Sequence, residues 1–303
     1  MQLTMYAYFT EMLLREGADA AVKFAKKCGF DSVELLELIG PGSLPIFPNE
    51  DSVKQLREIL DMHGMRCACY SVGISLLADN VGPTKNQSSP DALKACAVRA
   101  SILGSPYLHH TLMPERISNL PPPLAINRFL PLLIERAQSV ADHCASLGVT
   151  TLYEPQGYYI NGADSFGRFY ESIKAKGHLV GVCGDVGNCL YADQSPTLFF
   201  KRYAGEMRHV HLKDLYIEDF RCNRQSKPFA IWDQTANGSA LTEVPLGMGV
   251  VDLNSCMQEL QRAEYQGSFA LETFYWDENK RSLALHLERD RDYIVEKYGK
   301  TLK

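Results

Sequence analysis

The stretch Ala141-Asp-His-Cys-Ala-Ser-Leu-Gly-Val-Thr-Thr-Leu-Tyr-Glu-Pro155 holds the end of an apolar helix, a glycine, a β-prone run and a carboxylate, in that order. Gly148 stands where helices commonly end in glycine. Thr150–Glu154 is short and rich in residues that favour strands. A glycine that ends a helix just before a strand is typical of an αβ loop. The stretch therefore predicts a helix followed by a strand that finishes at Glu154.

The same order of helix, glycine and β-prone run recurs along nearly the whole chain. The predicted strands are Leu3–Phe9, Ser32–Leu36, Arg66–Val72, Tyr107–Thr111, Thr150–Glu154, Leu179–Asp185, His209–Lys213 and Ser268–Thr273. The predicted helices are 19–28, 49–63, 91–103, 125–147, 164–176, 196–205, 253–265 and 279–298. Eight alternating units in order favour a closed (β/α)8 TIM barrel of the α/β class over an open sheet. An open sheet would more often have a glycine-rich first loop, and the first loop here is not glycine-rich. We expect one domain over residues 1–303.

Composition and charge are those of a globular protein without a nucleic-acid partner. The 303 residues are 46% hydrophobic and 22% charged, with a net charge of −5 and no basic run. No apolar stretch approaches the roughly 20 residues that cross a bilayer, and the N-terminus does not read as a secretory signal. The nine cysteines form no C-x-x-C pair, and their odd number argues against a complete disulfide framework, which indicates a reducing compartment. We expect a cytoplasmic protein that contacts no membrane and forms a homo-oligomer.

Two connections, Gly73–Pro90 and Leu215–Leu246, are long for a compact domain. In a barrel both would rise over the carboxyl ends of the strands, where barrel enzymes place their active sites. We interpret them as functional loops, with a disordered insertion as the alternative.

Four successive predicted strands each finish in a residue that can bind a metal: Glu154, Asp185, His211 and Glu272. Each of three of these residues, taken singly, has a structural explanation. Glu154 could be a carboxylate at a helix N-terminus, Asp185 a turn residue, and His211 a histidine in the core. Together they predict a metal site, because charged groups are seldom buried unless they are paired or bound to a metal. This mostly oxygen ligand set indicates one divalent ion, Mn²⁺ first, with Mg²⁺, Co²⁺, Fe²⁺ and Zn²⁺ as alternatives.

The order Glu154, Asp185, His209-Val-His-Leu-Lys-Asp214, Gly247-Met-Gly249-Val-Val-Asp252 and Glu272 resembles the xylose isomerase-like TIM barrels over nearly the whole chain. That family includes ketose 3-epimerases, hydroxypyruvate isomerase, inosose dehydratase and endonuclease-type barrels. The resemblance implies that Glu154, Asp185, His211 and Glu272 are the four metal ligands. It also implies that Glu154 and Glu272 act as catalytic acid and base, and that the glycine pair forms a tight turn before a helix starting near Asp252.

One residue departs from the family pattern. Three residues after the sixth-strand Asp the family usually has a histidine that touches the substrate, and this chain has Asn188. An asparagine forms hydrogen bonds but cannot carry a proton as an imidazole does. We therefore expect Asn188 to bind substrate, with either an altered substrate or an altered proton relay.

Several other residues are candidates for the same site. Of the adjacent pair His109-His110, alternation along a strand sends one side chain to the barrel mouth, and we predict that His110 points there and serves as a base. Lys213 lines the substrate pocket or pairs with Asp214. Tyr6, with Tyr8 on the same predicted strand, supplies an aromatic wall for a sugar ring or packs in the core.

Three further charged residues have open interpretations. Glu34, in the second predicted strand, either orients polar groups inside the barrel or is structural. Arg221 and Arg224, in the second long connection, either meet a substrate anion or are solvated.

The predicted function is that of a divalent-metal-dependent isomerase or epimerase that acts on a sugar, ketose or polyol through a metal-bound enediolate. The alternative is a lyase on the same scaffold, either similar to inosose dehydratase or cleaving C-glycosides of an oxidised sugar. A DNA-repair endonuclease needs more His and Asp ligands than the eight histidines here suggest. A non-catalytic sugar-binding barrel is a further alternative, which the intact ligand set disfavours.

Overall fold

Eight parallel strands close into a barrel in the computed structural model, which describes residues 1–40, 43, 45–79, 88–113, 122–218, 233–273 and 283–300. The barrel strands are β1 (Gln2–Met5), β2 (Ser32–Leu38), β3 (Arg66–Gly73), β4 (Tyr107–His110), β5 (Thr150–Tyr153), β6 (Val180–Asp185), β7 (Met207–Leu212) and β11 (Ser268–Leu271). Their order around the wall is β1-β11-β7-β6-β5-β4-β3-β2, and β2 pairs with β1 to close it. The predicted (β/α)8 barrel is confirmed.

Helices alternate with these strands. They are α1 (Ala7–Glu16), α2 (Ala18–Lys27), α3 (Glu50–Met62), α4 (Ser89–Leu103), α5 (Pro122–Ser146), α6 (Ala163–Lys174), α7 (Pro196–Tyr203), α8 (Leu253–Arg262) and α9 (Leu283–Tyr298). The glycines that were predicted to end four of the helices have φ angles between 65° and 80°: Gly29, Gly64, Gly104 and Gly148. This left-handed backbone is the conformation for which helix ends use glycine. None of the helices of the described residues has both the length and the apolar character that a bilayer crossing requires.

The first strand is shorter than the sequence predicts. β1 ends at Met5, and α1 begins at Ala7, so Tyr8 lies on a helix rather than on the predicted strand Leu3–Phe9. The prediction was wrong there because a short apolar run fits a buried strand and a helix equally well. Tyr6 occupies the N-cap position between the two elements.

The second long connection contains a small antiparallel sheet, which the sequence analysis did not predict. Its strands are β8 (Asp214–Glu218), β9 (Asp233–Gln234) and β10 (Ala240–Val244), in the order β8-β10-β9. Residues 219–232, which include Arg221 and Arg224, lie outside the described residues, as do residues 80–87 of the first long connection.

A buried carboxylate at the base of this sheet holds the chain that leads to α8. Asp214 accepts hydrogen bonds at 2.9 Å from the backbone N–H groups of Gly247 and Gly249, and at 3.1 Å from that of Val251. A Cβ on residue 249 would lie 2.1 Å from Asp214 Oδ1, so the close approach requires glycine. Asp252 then caps α8, as the resemblance implied, by accepting a hydrogen bond from Ser255 N–H.

Candidate functional site

The four residues predicted to bind a metal meet at the carboxyl ends of four neighbouring strands. One ligand atom from each of Glu154, Asp185, His211 and Glu272 lies within 4.8 Å of the others. They follow or end β5, β6, β7 and β11, which are consecutive in the barrel wall. Glu154, Asp185 and His211 are buried, whereas the Glu272 side chain is 13% exposed and reaches toward the open end.

Asp185 is held by the loop that follows its strand. Its Oδ1 accepts hydrogen bonds from the backbone N–H groups of Gly187, at 2.8 Å, and Asn188, at 2.6 Å. This Asx-type turn fixes one carboxylate oxygen and leaves Oδ2 directed into the cluster. Oδ2 has no hydrogen-bond donor.

His211 presents one ring nitrogen to the carboxylates. Its Nδ1 lies 2.9 Å from Glu154 Oε1 and 3.1 Å from Glu272 Oε2, while its Nε2 lies 3.1 Å from Glu34 Oε1. Tyr6 stacks on the imidazole with ring centroids 4.8 Å apart. The buried Tyr6 ring therefore contacts a candidate ligand, whereas its contact with a sugar ring stays a prediction.

Lys213 and Asn188 complete the cluster. The Lys213 ammonium donates a hydrogen bond to Asn188 Oδ1 at 3.0 Å. It also lies 3.1 Å from Asp185 Oδ2 and 3.0 Å from Glu272 Oε2, although neither contact has hydrogen-bond geometry. The alternative that Lys213 pairs with Asp214 is not seen, because Asp214 is occupied by backbone N–H groups.

A polar layer lies beneath the four residues, inside the barrel. Glu34 is fully buried on β2, where its Oε2 meets His209 Nε2 at 2.6 Å and its Oε1 meets His211 Nε2. Ser71 on β3 donates to Glu34, and its hydroxyl lies 2.9 Å from His109 Nδ1. Of the two readings of Glu34, the structure places it where it orients polar groups.

The predicted orientation of the pair His109-His110 is contradicted. Ser71 and His109 face each other across β3 and β4, and His109 Nε2 lies 3.3 Å from Glu154 Oε2 inside the barrel. His110 points the other way: its ring packs edge-on against Tyr153 at 5.3 Å, and its Nδ1 lies 3.0 Å from Thr111 O. Since side chains alternate along a strand, only one of the two can enter the barrel. The position gives His110 no contact with the candidate ligands.

The polar layer also contains the residues that sequence reasoning missed as a group, namely His109, His209 and Ser71. The available signal was that Glu34, Ser71, His109 and His209 are polar residues within strands that the sequence predicts to be buried. A polar residue there faces either the barrel interior or the helix layer, and the pairing register decides which.

The pKa values in the cluster are shifted because three carboxylates lie close together in a buried site. Burial raises the pKa of Asp185 well above its usual value, and the charges of Glu154 and Glu272 add to this. Burial acts the same way on Glu154, but His109 and His211 hold the pKa of its carboxyl well below the usual range. Burial disfavours the charged form of Lys213, yet Asp185 and Glu272 raise its pKa well above the ordinary value. A divalent cation would relieve the repulsion that Asp185 experiences.

Among the described residues, three groups of side chains have metal-ligating atoms close together. In the group of Glu34, His209 and His211 the facing atoms already hydrogen-bond to each other. In the group of His109, Glu154 and Cys183, burial raises the pKa of the Cys183 thiol and so disfavours the thiolate form that binds metals.

The third group, Glu154, Asp185, His211 and Glu272, fits a cation best. Two of its buried oxygens, Asp185 Oδ2 and Glu272 Oε2, have no hydrogen-bond donor, and the set of three carboxylates and one imidazole suits a divalent ion.

Comparison with curated proteins finds inosose dehydratases. The chain is 30% identical over 124 residues to the enzyme of Bacillus thuringiensis (strain Al Hakam), which is 40% of this chain and 39% of that protein. It is 28% identical over 172 residues to the enzyme of Geobacillus thermodenitrificans (strain NG80-2), which is 55% of this chain and 54% of that protein. The chain thus spans about two fifths to one half of the length of these relatives.

Comparison with solved structures finds the same fold over the whole chain. D-psicose 3-epimerase with D-tagatose from Clostridium cellulolyticum H10 superposes with a TM-score of 0.71 at 16% identity, covering 100% of both chains. The IolI protein with a bound zinc atom gives 0.69 at 16% identity, covering 100% of this chain and 98% of the other. A xylose isomerase-like protein from Mycobacterium smegmatis in complex with magnesium gives 0.64 at 16% identity, covering 95% and 90%.

The sequence profile of the family described as xylose isomerase-like TIM barrel matches residues 22–290 of this chain. That match extends from α2 into α9 and includes all four candidate ligands together with the polar layer beneath them. Sequence match and barrel topology agree, and the chain belongs to the xylose isomerase-like TIM barrel family.

Proposed function

We propose that the protein is a divalent-metal-dependent isomerase or epimerase that acts on a sugar, ketose or polyol. The observation that carries the proposal is the convergence of Glu154, Asp185, His211 and Glu272, with two buried oxygens left without donors. The ligand set favours Mn²⁺, with Mg²⁺, Co²⁺, Fe²⁺ and Zn²⁺ as alternatives. Two solved structures of the same fold are described with zinc and with magnesium, which supports a metal without selecting one.

An ion held by Glu154, Asp185, His211 and Glu272 would supply a Lewis acid that stabilises the negative charge developing as a proton leaves the carbon beside a carbonyl. Glu154 and Glu272 are the proposed proton carriers. They follow the outer two of the four ligand-bearing strands, so they approach a substrate from two sides. Removal of a proton by one and its return by the other to the opposite face inverts the carbon, whereas return to the neighbouring carbon gives isomerisation.

The proposed substrate contacts lie around this pair. Glu272 is the more exposed of the two carboxylates, at 13% against 2% for Glu154, and is therefore the first to meet a ligand that enters from the open end. Lys213 and Asn188 are hydrogen-bonded to each other beside Glu272 and offer donors to substrate hydroxyls. Tyr6 covers the face of His211 and limits the space on that side.

A lyase is the second candidate, and the position of Lys213 favours it. A symmetric exchange between two carboxylates does not need an ammonium group, yet Lys213 lies 3.0 Å from Glu272 Oε2. An acid beside a base suits elimination, in which Glu272 or Glu154 takes the proton next to the carbonyl and Lys213 protonates the departing hydroxyl. The similarity to inosose dehydratases supports the same reading.

Isotope and mass measurements on one panel of ketoses and inososes separate these reactions. The protein is incubated with Mn²⁺ in D₂O, and substrate and products are analysed by mass spectrometry and NMR. The isomerase or epimerase predicts a stereoisomer or positional isomer that carries solvent deuterium. The lyase predicts a product lighter by one water. If no substrate exchanges a proton or changes while the protein demonstrably binds metal, the proposed function is overturned.

The Lys213→Met variant sharpens the distinction. In a lyase it should stop loss of water while deuterium exchange into recovered substrate persists, because the base is intact. In an isomerase or epimerase it should weaken substrate binding and leave the ratio of exchange to product formation unchanged.

A further inference from the structure

Glu34 lies beneath the candidate metal site and contacts one of its ligands from behind. It is in the middle of β2, fully buried, and both of its carboxylate oxygens are in use. Oε1 lies 3.1 Å from His211 Nε2, and Oε2 lies 2.6 Å from His209 Nε2. Ser71 adds a third donor. A carboxylate with this many donors has one fixed orientation.

The contact with Glu34 decides which nitrogen of His211 can face a metal. An ionised carboxylate only accepts hydrogen bonds, so the imidazole nitrogen that meets it must carry the hydrogen. That nitrogen is Nε2. A neutral His211 therefore has its lone pair on Nδ1, the atom that faces Glu154 and Glu272.

His209 fixes Glu34 from the other side. Its Nε2 meets Glu34 Oε2, and its Nδ1 lies 2.8 Å from the Ser268 hydroxyl, which can donate to it. His209 thus shares the tautomer of His211, but neither of its nitrogens points at the candidate ligands. The rings of His209 and His211 pack edge to face at 5.3 Å, which keeps their planes perpendicular.

We propose that Glu34 is a positioning residue for the metal centre: it holds the hydrogen of His211 on Nε2 and so commits Nδ1 to the ion. The inference rests on the proposed metal site. A purely structural role for Glu34 would stabilise the barrel without selecting a nitrogen of His211. The two roles differ in what they predict for metal affinity and for the ring nitrogens.

A carboxylate on the same strand provides a matched control. Glu37 is also buried, and it accepts hydrogen bonds from Arg99 at 2.8 Å and from the Tyr70 hydroxyl at 2.5 Å. Its partners are Arg99, Tyr70 and Cys96, none of which is a candidate metal ligand. Glu37→Gln therefore removes a buried charge from β2 without touching His211.

The test compares the affinity for Mn²⁺ of the wild type, Glu34→Gln and Glu37→Gln by competition with a chelator. A glutamine cannot accept hydrogen bonds from both imidazoles through two oxygens, and its NH₂ group would favour the wrong tautomer of one of them. Loss of a group that orients a metal-binding histidine typically costs about 10–100-fold in affinity. We expect a loss of that size for Glu34→Gln and an affinity within about twofold of wild type for Glu37→Gln.

A second measurement does not depend on the folding of a variant. In wild-type protein with ¹⁵N-labelled histidine and Zn²⁺ as a diamagnetic probe, NMR identifies which nitrogen of His211 carries the hydrogen. The inference predicts hydrogen on Nε2 and metal on Nδ1. Metal on Nε2, or a Glu34→Gln variant that folds and binds Mn²⁺ as tightly as wild type, overturns it. Failure of the wild type to bind any metal would instead refute the proposed site.

Discussion

In the proposed function, Glu272 both binds the metal ion and carries a proton. Its carboxylate lies within 3.1 Å of His211 Nδ1 and 3.0 Å of Lys213 Nζ, and it is more exposed than the other three candidate ligands. Burial opposes its charged form, but Lys213 and His211 lower the pKa of its carboxyl, so it is ionised and able to accept a proton. Removal of the Glu272 carboxylate should therefore reduce turnover much more than it changes the free energy of unfolding.

The substitution Glu272→Gln tests this separation. Turnover should fall on the order of 10²–10⁴-fold, the usual contribution of an acid–base group. The free energy of unfolding of the metal-free protein should change by about 1 kcal/mol, roughly 2–4 °C in melting temperature, because lost attraction to Lys213 is offset by relief of repulsion from Glu154 and Asp185. Steady-state kinetics and thermal denaturation measure the two effects. Near-normal turnover would remove Glu272 from the mechanism.

His110 is expected to affect stability in acid rather than metal binding. Burial lowers its pKa from 6.5 to about 4. Between these values the unfolded chain binds a proton at this residue and the folded protein does not, so stability is lost as pH falls from 6.5 toward 4. The full loss is about 3 kcal/mol, at 1.36 kcal/mol for each pKa unit.

In His110→Phe this contribution is absent. Urea denaturation at a series of pH values should show a shallower decline in the free energy of unfolding between pH 6.5 and 4.5 than in wild type, with unchanged affinity for Mn²⁺. Parallel curves for the two proteins would contradict the assigned burial. A loss of turnover on the order of 10²–10⁴-fold would instead support the catalytic base that the sequence suggested.

Among the secondary-structure elements, the segment that connects β10 to α8 depends on Asp214. In Asp214→Asn one carboxylate oxygen becomes an NH₂ group that faces backbone N–H donors, either those of Gly247 and Gly249 or those of Leu215 and Val251. Each buried group left without a partner costs about 1–3 kcal/mol. We expect this variant to be clearly destabilised in thermal denaturation.

The same segment supplies the control. Asp252 caps α8 through one hydrogen bond to Ser255 N–H at the surface, and asparagine caps helices about as well as aspartate. Asp252→Asn should change the free energy of unfolding by only a few tenths of a kcal/mol. Equal effects of the two substitutions would mean that Asp214 does not anchor the connection.

The elements also show what could be predicted from the sequence. Glycines at helix ends and the residues that finish β5, β6, β7 and β11 are local signals, so the barrel and the meeting of the four candidate ligands were predictable. The side to which His109 points was not, because β4 has four residues and its register depends on pairing with β3. The sheet of β8, β9 and β10 was missed because β9 pairs two residues only.

For the molecule as a whole, we expect the clustered carboxylates to make folding and metal binding interdependent. Any ligand that binds only the folded state stabilises it by about 2.7 kcal/mol at a concentration of 100 times its Kd. The melting temperature should therefore rise with Mn²⁺ concentration and return to the metal-free value when EDTA is added. The variant Asp185→Asn, which loses a candidate ligand charge, should show a much smaller rise. A melting temperature that is insensitive to every divalent ion would contradict the account.

Metal binding at the strand ends is tested most directly by anomalous diffraction from a crystal soaked in Mn²⁺. We expect one strong peak bounded by Glu154, Asp185, His211 and Glu272, with Nδ1 of His211 toward it and ligand distances of about 2.0–2.6 Å. Lys213 should then have moved away from Asp185 Oδ2. A map without a peak at this position, or with its peak between Glu34 and His209 instead, would contradict the account.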